Sequence, residues 1–193
     1  MDARPSPLKD LAHTLSNVLN PFVIFTGLYA LVAFVEAGFS GAVLYLGFEL
    51  LAAGLVAGYV FSLTRRSRVG DFWISRRAER FLPALVLLAA FVALLISLSV
   101  SGAPENLYAA TLSMGLAAAT VAAVTLFWKA SAHAAVAGHA ALAGPLLLGI
   151  PGAIFVLILP LVFWSRVYAG AHTPLQAAAG AAAGAAFALL FLA

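Results

Sequence analysis

Three short stretches of the chain hold residue types that phosphoryl chemistry requires. Residues 165–176 read SRVYAGAHTPLQ and bring together Ser165, Arg166, His172 and Gln176. Residues 129–133 read KASAH and supply Lys129, Ser131 and His133, while Arg76, Arg77 and Arg80 lie in a charged stretch with Asp71 and Glu79. Arginine suits phosphate oxygens because its guanidinium bonds them in bidentate fashion and keeps its charge, and a nearby lysine adds a point charge. Two histidines beside such a cluster suit transfer through a covalent intermediate: one attacks phosphorus and the other protonates the departing oxygen.

The elements that must position these groups are transmembrane helices. Of the 193 residues, 64% are hydrophobic and 9% charged, against roughly 25% charged in a soluble domain. The apolar runs are long and lack the two-residue alternation of an outer-membrane barrel. The expected fold is therefore all-α, a polytopic transmembrane helical bundle of about six or seven spans. Residues 1–20 read as a polar N-terminal tail or surface helix, without the pattern of a signal peptide. Residues 21–193 read as a single transmembrane domain. Candidate spans cover 21–37, 42–63, 82–100, 107–128, 131–148, 151–164 and 174–193. With no cysteine, the chain has neither a disulfide framework nor a thiolate metal site.

The region between Lys129 and Arg166 decides the topology, because Pro145, Pro151 and Pro160 interrupt it. If it is a hairpin, KASAH and SRVYAGAH share one membrane face with the N-terminus and the TRRSR loop. All ten Lys and Arg residues then lie on that face, and the loops GFSG, SGAPEN and GIPG carry none. The positive-inside rule assigns the basic face to the cytoplasm, so the N-terminus and site are expected there, in the plasma membrane of a prokaryote. In the last span, Gly180 and Gly184 form a small-xxx-small face suited to close helix packing.

SRVYAGAH and ASAH resemble the third and second motifs of the type 2 phosphatidic acid phosphatase superfamily, S-R-x5-H-x3-D and P-S-G-H. This superfamily comprises membrane lipid phosphatases and the related vanadium haloperoxidases. The resemblance runs from the second span onward and implies a phosphatidic acid phosphatase/haloperoxidase-like core. It implies His172 as the nucleophile that becomes a phosphohistidine, and His133 as the general acid. Arg166, with Ser131 and backbone amides, would hold the phosphate oxygens. The first motif, K-x6-R-P, is matched least well; SRRAERFLP stands in its place, with Arg77 and Arg80 as phosphate ligands three residues apart on one helical face and Lys129 adding charge. Ala130 and Ala132 replace the Pro and Gly of the second motif. Gln176 replaces the acid of the third, where its carbonyl could orient the His172 ring but supply no full charge; Ser165 is a supporting residue.

The expected activity is metal-independent hydrolysis, with no cofactor, of a lipid phosphomonoester or diphosphate: phosphatidate, phosphatidylglycerophosphate or polyprenyl diphosphate. The alternatives are a lipid phosphotransferase and a non-catalytic lipid-binding protein that keeps the fold. Expected partners are the phosphorylated lipid and membrane lipids, with no nucleic acid, and a homo-oligomer is compatible with the sequence. His139 lies about 240° round the helix from His133 and reads as structural, and His13 reads as solvated. Arg65, Arg66 and Arg68 read as an anionic-lipid anchor. Glu49 falls inside a span, where a carboxylate is costly, and reads as a polar contact to a neighbouring helix or as a proton relay. Asp71 and Glu79 are expected to pair with the nearby arginines.

Overall fold

A computed structural model describes residues 6–72, 74 and 76–193, with the Arg77 side chain outside the described atoms. Among the described residues the chain is all-α: α1 (Pro7–Val18), α2 (Pro21–Arg65), α3 (Phe81–Val100), α4 (Glu105–Thr125), α5 (Ala132–Leu148), α6 (Ile154–Tyr168) and α7 (Pro174–Leu192). Five helical segments are long and apolar enough to cross a membrane, and the bundle is membrane-embedded. Its outward side chains fit that setting: Leu51, Leu55, Val92, Ile96, Leu157 and Leu190 are exposed on the bundle surface, where lipid tails replace water as solvent.

The 45 residues of α2 do not run straight. The Thr26 hydroxyl donates to Glu49 Oε1 at 2.8 Å and the Tyr29 hydroxyl to the Tyr45 carbonyl at 3.1 Å. Twenty-three residues of straight helix would hold Thr26 and Glu49 about 35 Å apart. The helix therefore folds back on itself, and the reversal is at Gly38, whose φ of 64° and ψ of −170° lie outside helical space. Glycine adopts positive φ without the Cβ penalty that other residues meet. The break expected across GFSG is thus confined to one residue, after which the helix resumes at once.

A second hairpin joins α5 to α6 through Gly149 and a short 3-10 turn, Ile150–Ala153. Its two open ends meet, since Lys129 Nζ donates to the Ala171 carbonyl at 2.9 Å. That bond selects the hairpin over a single long helix. At the opposite end of the bundle, Asn106 Nδ2 donates to Glu36 Oε1 at 2.8 Å, tying the first turn of α4 to the Gly38 reversal.

Helix α7 packs against α5 and α4, and α1 packs against α6. The α5–α7 contact is backbone to backbone: a Cβ on Gly184 would collide with the Ala135 carbonyl, and one on Gly180 with the Ser131 carbonyl. The small-residue face expected of the last span is used here to seat the start of α5. Gly184→Ala is expected to destabilise the bundle by about 1–3 kcal/mol, measured as a lowered unfolding midpoint in detergent. His139 sits in this core, 1% exposed, with Nε2 2.7 Å from Ser113 Oγ. It is a buried packing residue away from the basic end.

Candidate active site

The site forms where four chain segments converge. Ser131 caps α5, its Oγ accepting from the Ala134 amide at 3.3 Å, and this sets His133 in the first turn. Arg166 lies in the last turn of α6. The chain then turns through Gly170, and the His172 amide donates to the Arg166 carbonyl at 3.2 Å. Arg80 stands at the N-cap of α3, its Nε donating to the Ile74 carbonyl at 2.8 Å.

His133 and His172 are each 7% exposed. Both feel the charges of Arg166 and Arg80, and His133 also feels His172. Lys129 is coupled to Arg80, Arg166 and Asp71, and burial together with the two arginines pulls its pKa below the usual lysine range. Burial depresses His172 first, then the charges of Arg166, Lys129 and Arg80, taking it to about 4. At neutral pH its imidazole is therefore uncharged and has a lone pair to give. One ring N–H of His172 faces the Lys129 backbone carbonyl, and Nδ1 has no hydrogen-bond partner among the described residues. Replacing Lys129 by Met removes one of the cations that oppose protonation. The His172 titration, followed by NMR of the labelled ring, is expected to move upward from about 4.

The first segment of the chain contributes more than a tail. Helix α1 is a surface helix with Leu8, Leu11 and Val18 exposed and Ala12 and Ser16 buried. Arg166 Nη1 donates to Ser16 Oγ, and the Ser16 backbone carbonyl faces the His133 ring. Ser16 thus touches two of the central residues from more than 100 positions away, and sequence reasoning missed it. The amphipathic pattern of PLKDLAHTLSNV was the available signal, because Ala12 and Ser16 recur four apart on the inner face.

Other expected residues fall as follows. Ser131 is fully buried as the cap of α5 and its amide donates to the Gln176 carbonyl at 3.2 Å. Ser165 is also fully buried and bonds the Val162 carbonyl within its own helix at 2.9 Å. The Gln176 side chain accepts from the Thr173 amide at 3.1 Å while Thr173 Oγ1 accepts from the Gln176 amide at 3.3 Å. This reciprocal capping box starts α7 directly after His172. The side-chain carbonyl expected to orient the imidazole is instead engaged by the helix start. Arg77 lies in the 3-10 turn Arg77–Glu79, and its expected role as a phosphate ligand falls outside the described side chains. Glu79 pairs with Arg76 at 3.5 Å and accepts from the Gly70 amide at 2.9 Å, while Asp71 is coupled to Arg80. Arg65, Arg66 and Arg68 are exposed, as expected of residues outside the site. Among the described residues, no three His, Asp or Glu side chains gather as a metal-binding group.

Arg80, His133, Arg166 and His172 line the polar end of a cavity of about 620 Å³. Apart from Glu49 and Thr125 the rest of its wall is apolar, with Phe25, Val56, Leu88, Phe91 and Met114 among the lining residues. Such a space accepts an anionic head at one end and a hydrocarbon chain along the other. No protein-family model, no curated protein and no solved structure matches the chain.

Proposed function

We propose that this chain is an integral membrane phosphatase of the type 2 phosphatidic acid phosphatase kind, acting on a phosphomonoester or diphosphate of a lipid. The observation that carries this reading is the cavity: two histidines and two arginines converge at one end of a largely apolar chamber. Three cations, Arg80, Lys129 and Arg166, lie within one another's fields there, and one carboxylate, Asp71, interacts with Arg80 and Lys129, so the cluster favours a multiply charged anion.

In this mechanism Arg166 and Arg80 hold the non-bridging phosphate oxygens. The neutral His172 ring attacks phosphorus, forming an N–P bond as the bond to the lipid oxygen breaks, and His133, as the imidazolium formed by taking the proton of the bound phosphate monoanion, gives that oxygen its proton. Water then attacks the phosphohistidine, losing a proton to His133 as the N–P bond breaks, and inorganic phosphate takes that proton and leaves. Both protons are accounted for, and both histidines return to their starting states. The arginines gain most of their effect as charge develops on the transferring group in a site shielded from water.

The reading extends to topology. Counting the two halves of α2 separately, with α3 to α7, gives seven spans. The basic end then faces the cytoplasm of a prokaryotic cell by the positive-inside rule.

A non-catalytic lipid-binding role is the second reading, and two observations favour it: the His172 Nδ1 atom has no hydrogen-bond partner among the described residues, and the Gln176 side-chain carbonyl is used by the capping box. Phosphate release separates the two. Purified protein is assayed without metal on phosphatidate, phosphatidylglycerophosphate and polyprenyl diphosphate. Release from at least one lipid, blocked by vanadate, is expected of the phosphatase; binding of the same lipids without release is the outcome for the second reading.

A further inference from the structure

Glu49 lines the same cavity in its otherwise apolar portion, which includes Phe25, Ala52, Phe91 and Leu94. The residue is 3% exposed, and one carboxyl oxygen, Oε1, accepts from Thr26 Oγ1 at 2.8 Å. The other, Oε2, has no hydrogen-bond partner among the described residues. Thr26 satisfies the expectation of a polar contact to a neighbouring helix, but only for half of the carboxyl group. A buried polar atom left unpaired costs about 1–3 kcal/mol, so its place in a cavity wall calls for a ligand atom.

Depth narrows what that atom is. Pro21 also lines the cavity, and Thr26 lies five residues further along the helix, about 7.5 Å deeper by the helical rise. Glu49 is held at the level of Thr26. A phosphate at the basic end would leave the next few atoms of the lipid, where glycerol hydroxyls and ester groups occur, nearest to this carboxyl.

We propose that Glu49 is a specificity-determining residue that hydrogen-bonds a hydroxyl or ester oxygen of the lipid seated beneath its phosphate. The proposal rests on the phosphatase reading only for its kinetic readout. A carboxyl accepts from a hydroxyl when charged and donates to an ester or hydroxyl oxygen when neutral; hydrocarbon offers it neither. A lipid whose chain has no oxygen below the phosphate leaves Oε2 unpaired.

The test compares dioleoyl phosphatidate with farnesyl monophosphate, which has no oxygen beyond its phosphate ester, in wild type, Glu49→Leu and Glu49→Gln. Glu49→Leu is expected to lower kcat/KM for phosphatidate about tenfold and to leave that for farnesyl monophosphate nearly unchanged. Glu49→Gln, which keeps a donor and an acceptor, retains most of the preference and controls for folding. Equal effects of Glu49→Leu on the two substrates, or no effect on either, overturn the proposal. If wild type hydrolyses neither of these two lipids, the phosphatase reading is decided by the full lipid panel, and retention of the same two lipids measured by native mass spectrometry decides the role of Glu49 separately. Preferential retention of phosphatidate that Glu49→Leu abolishes upholds the role of Glu49; retention without preference overturns it.

Discussion

His172→Ala is expected to lower phosphate release by about 10⁴- to 10⁶-fold, the scale seen when a covalent nucleophile is removed from a site that acts as a unit. The reason lies in where the ring is held. The Arg166 carbonyl fixes its backbone, the Lys129 carbonyl faces one ring N–H, and burial together with neighbouring cations keeps the ring uncharged at neutral pH. None of these supports supplies a substitute nucleophile once the imidazole is gone. Lipid binding is expected to persist in the variant, because Arg80 and Arg166 remain. Loss of release together with loss of binding would instead indicate a collapsed site, which a thermal unfolding midpoint distinguishes.

The second large effect belongs to His133→Ala, with a loss of about 10²- to 10⁴-fold on lipid substrates. Its size should depend on the leaving group. An alkoxide leaving a lipid phosphate needs a proton, whereas p-nitrophenolate leaves readily without one. On p-nitrophenyl phosphate the variant is therefore expected to lose far less in the first step, while slow breakdown of the phosphohistidine produces a burst of nitrophenol. An equal loss on both substrates, with no burst, would assign His133 to holding the site together through the Ser16 carbonyl rather than to proton transfer.

Much of the bundle is legible in the sequence, because lipid imposes length and polarity on each span. The apolar runs mark the helices, and the glycines and prolines of GFSG and GIPG mark the reversals. The distribution of Lys and Arg anticipates that KASAH and SRVYAGAH meet at one end, as the Lys129–Ala171 bond shows. His133, Arg166 and His172 stand out since polar groups are rare in such a chain, and the structure brings them together at one cavity.

What escaped notice depends on contacts between distant segments or on local capping. Ser16 sits in a stretch of ordinary polar residues, and nothing local marks it as the partner of Arg166 and His133. Gln176 was read against a motif position, although Thr173-Pro174-Leu175-Gln176 carries its own signal, a capping-box threonine with proline at the first helical position. The amide at that position starts a helix and so fixes where His172 ends up. The unpaired oxygen of Glu49 was equally hidden, since only the fold-back at Gly38 shows that Thr26 satisfies one of its two oxygens.

The central claim is that phosphate passes through His172, and trapping the intermediate tests it most directly. Protein mixed with ³²P-labelled lipid phosphate is quenched in alkali, which preserves phosphohistidine, and the labelled peptide is mapped. Label on the peptide containing His172 in wild type, and none in His172→Ala, is the predicted result. Label elsewhere, or phosphate release from wild type at full rate with no labelled protein at any time point, would contradict the account.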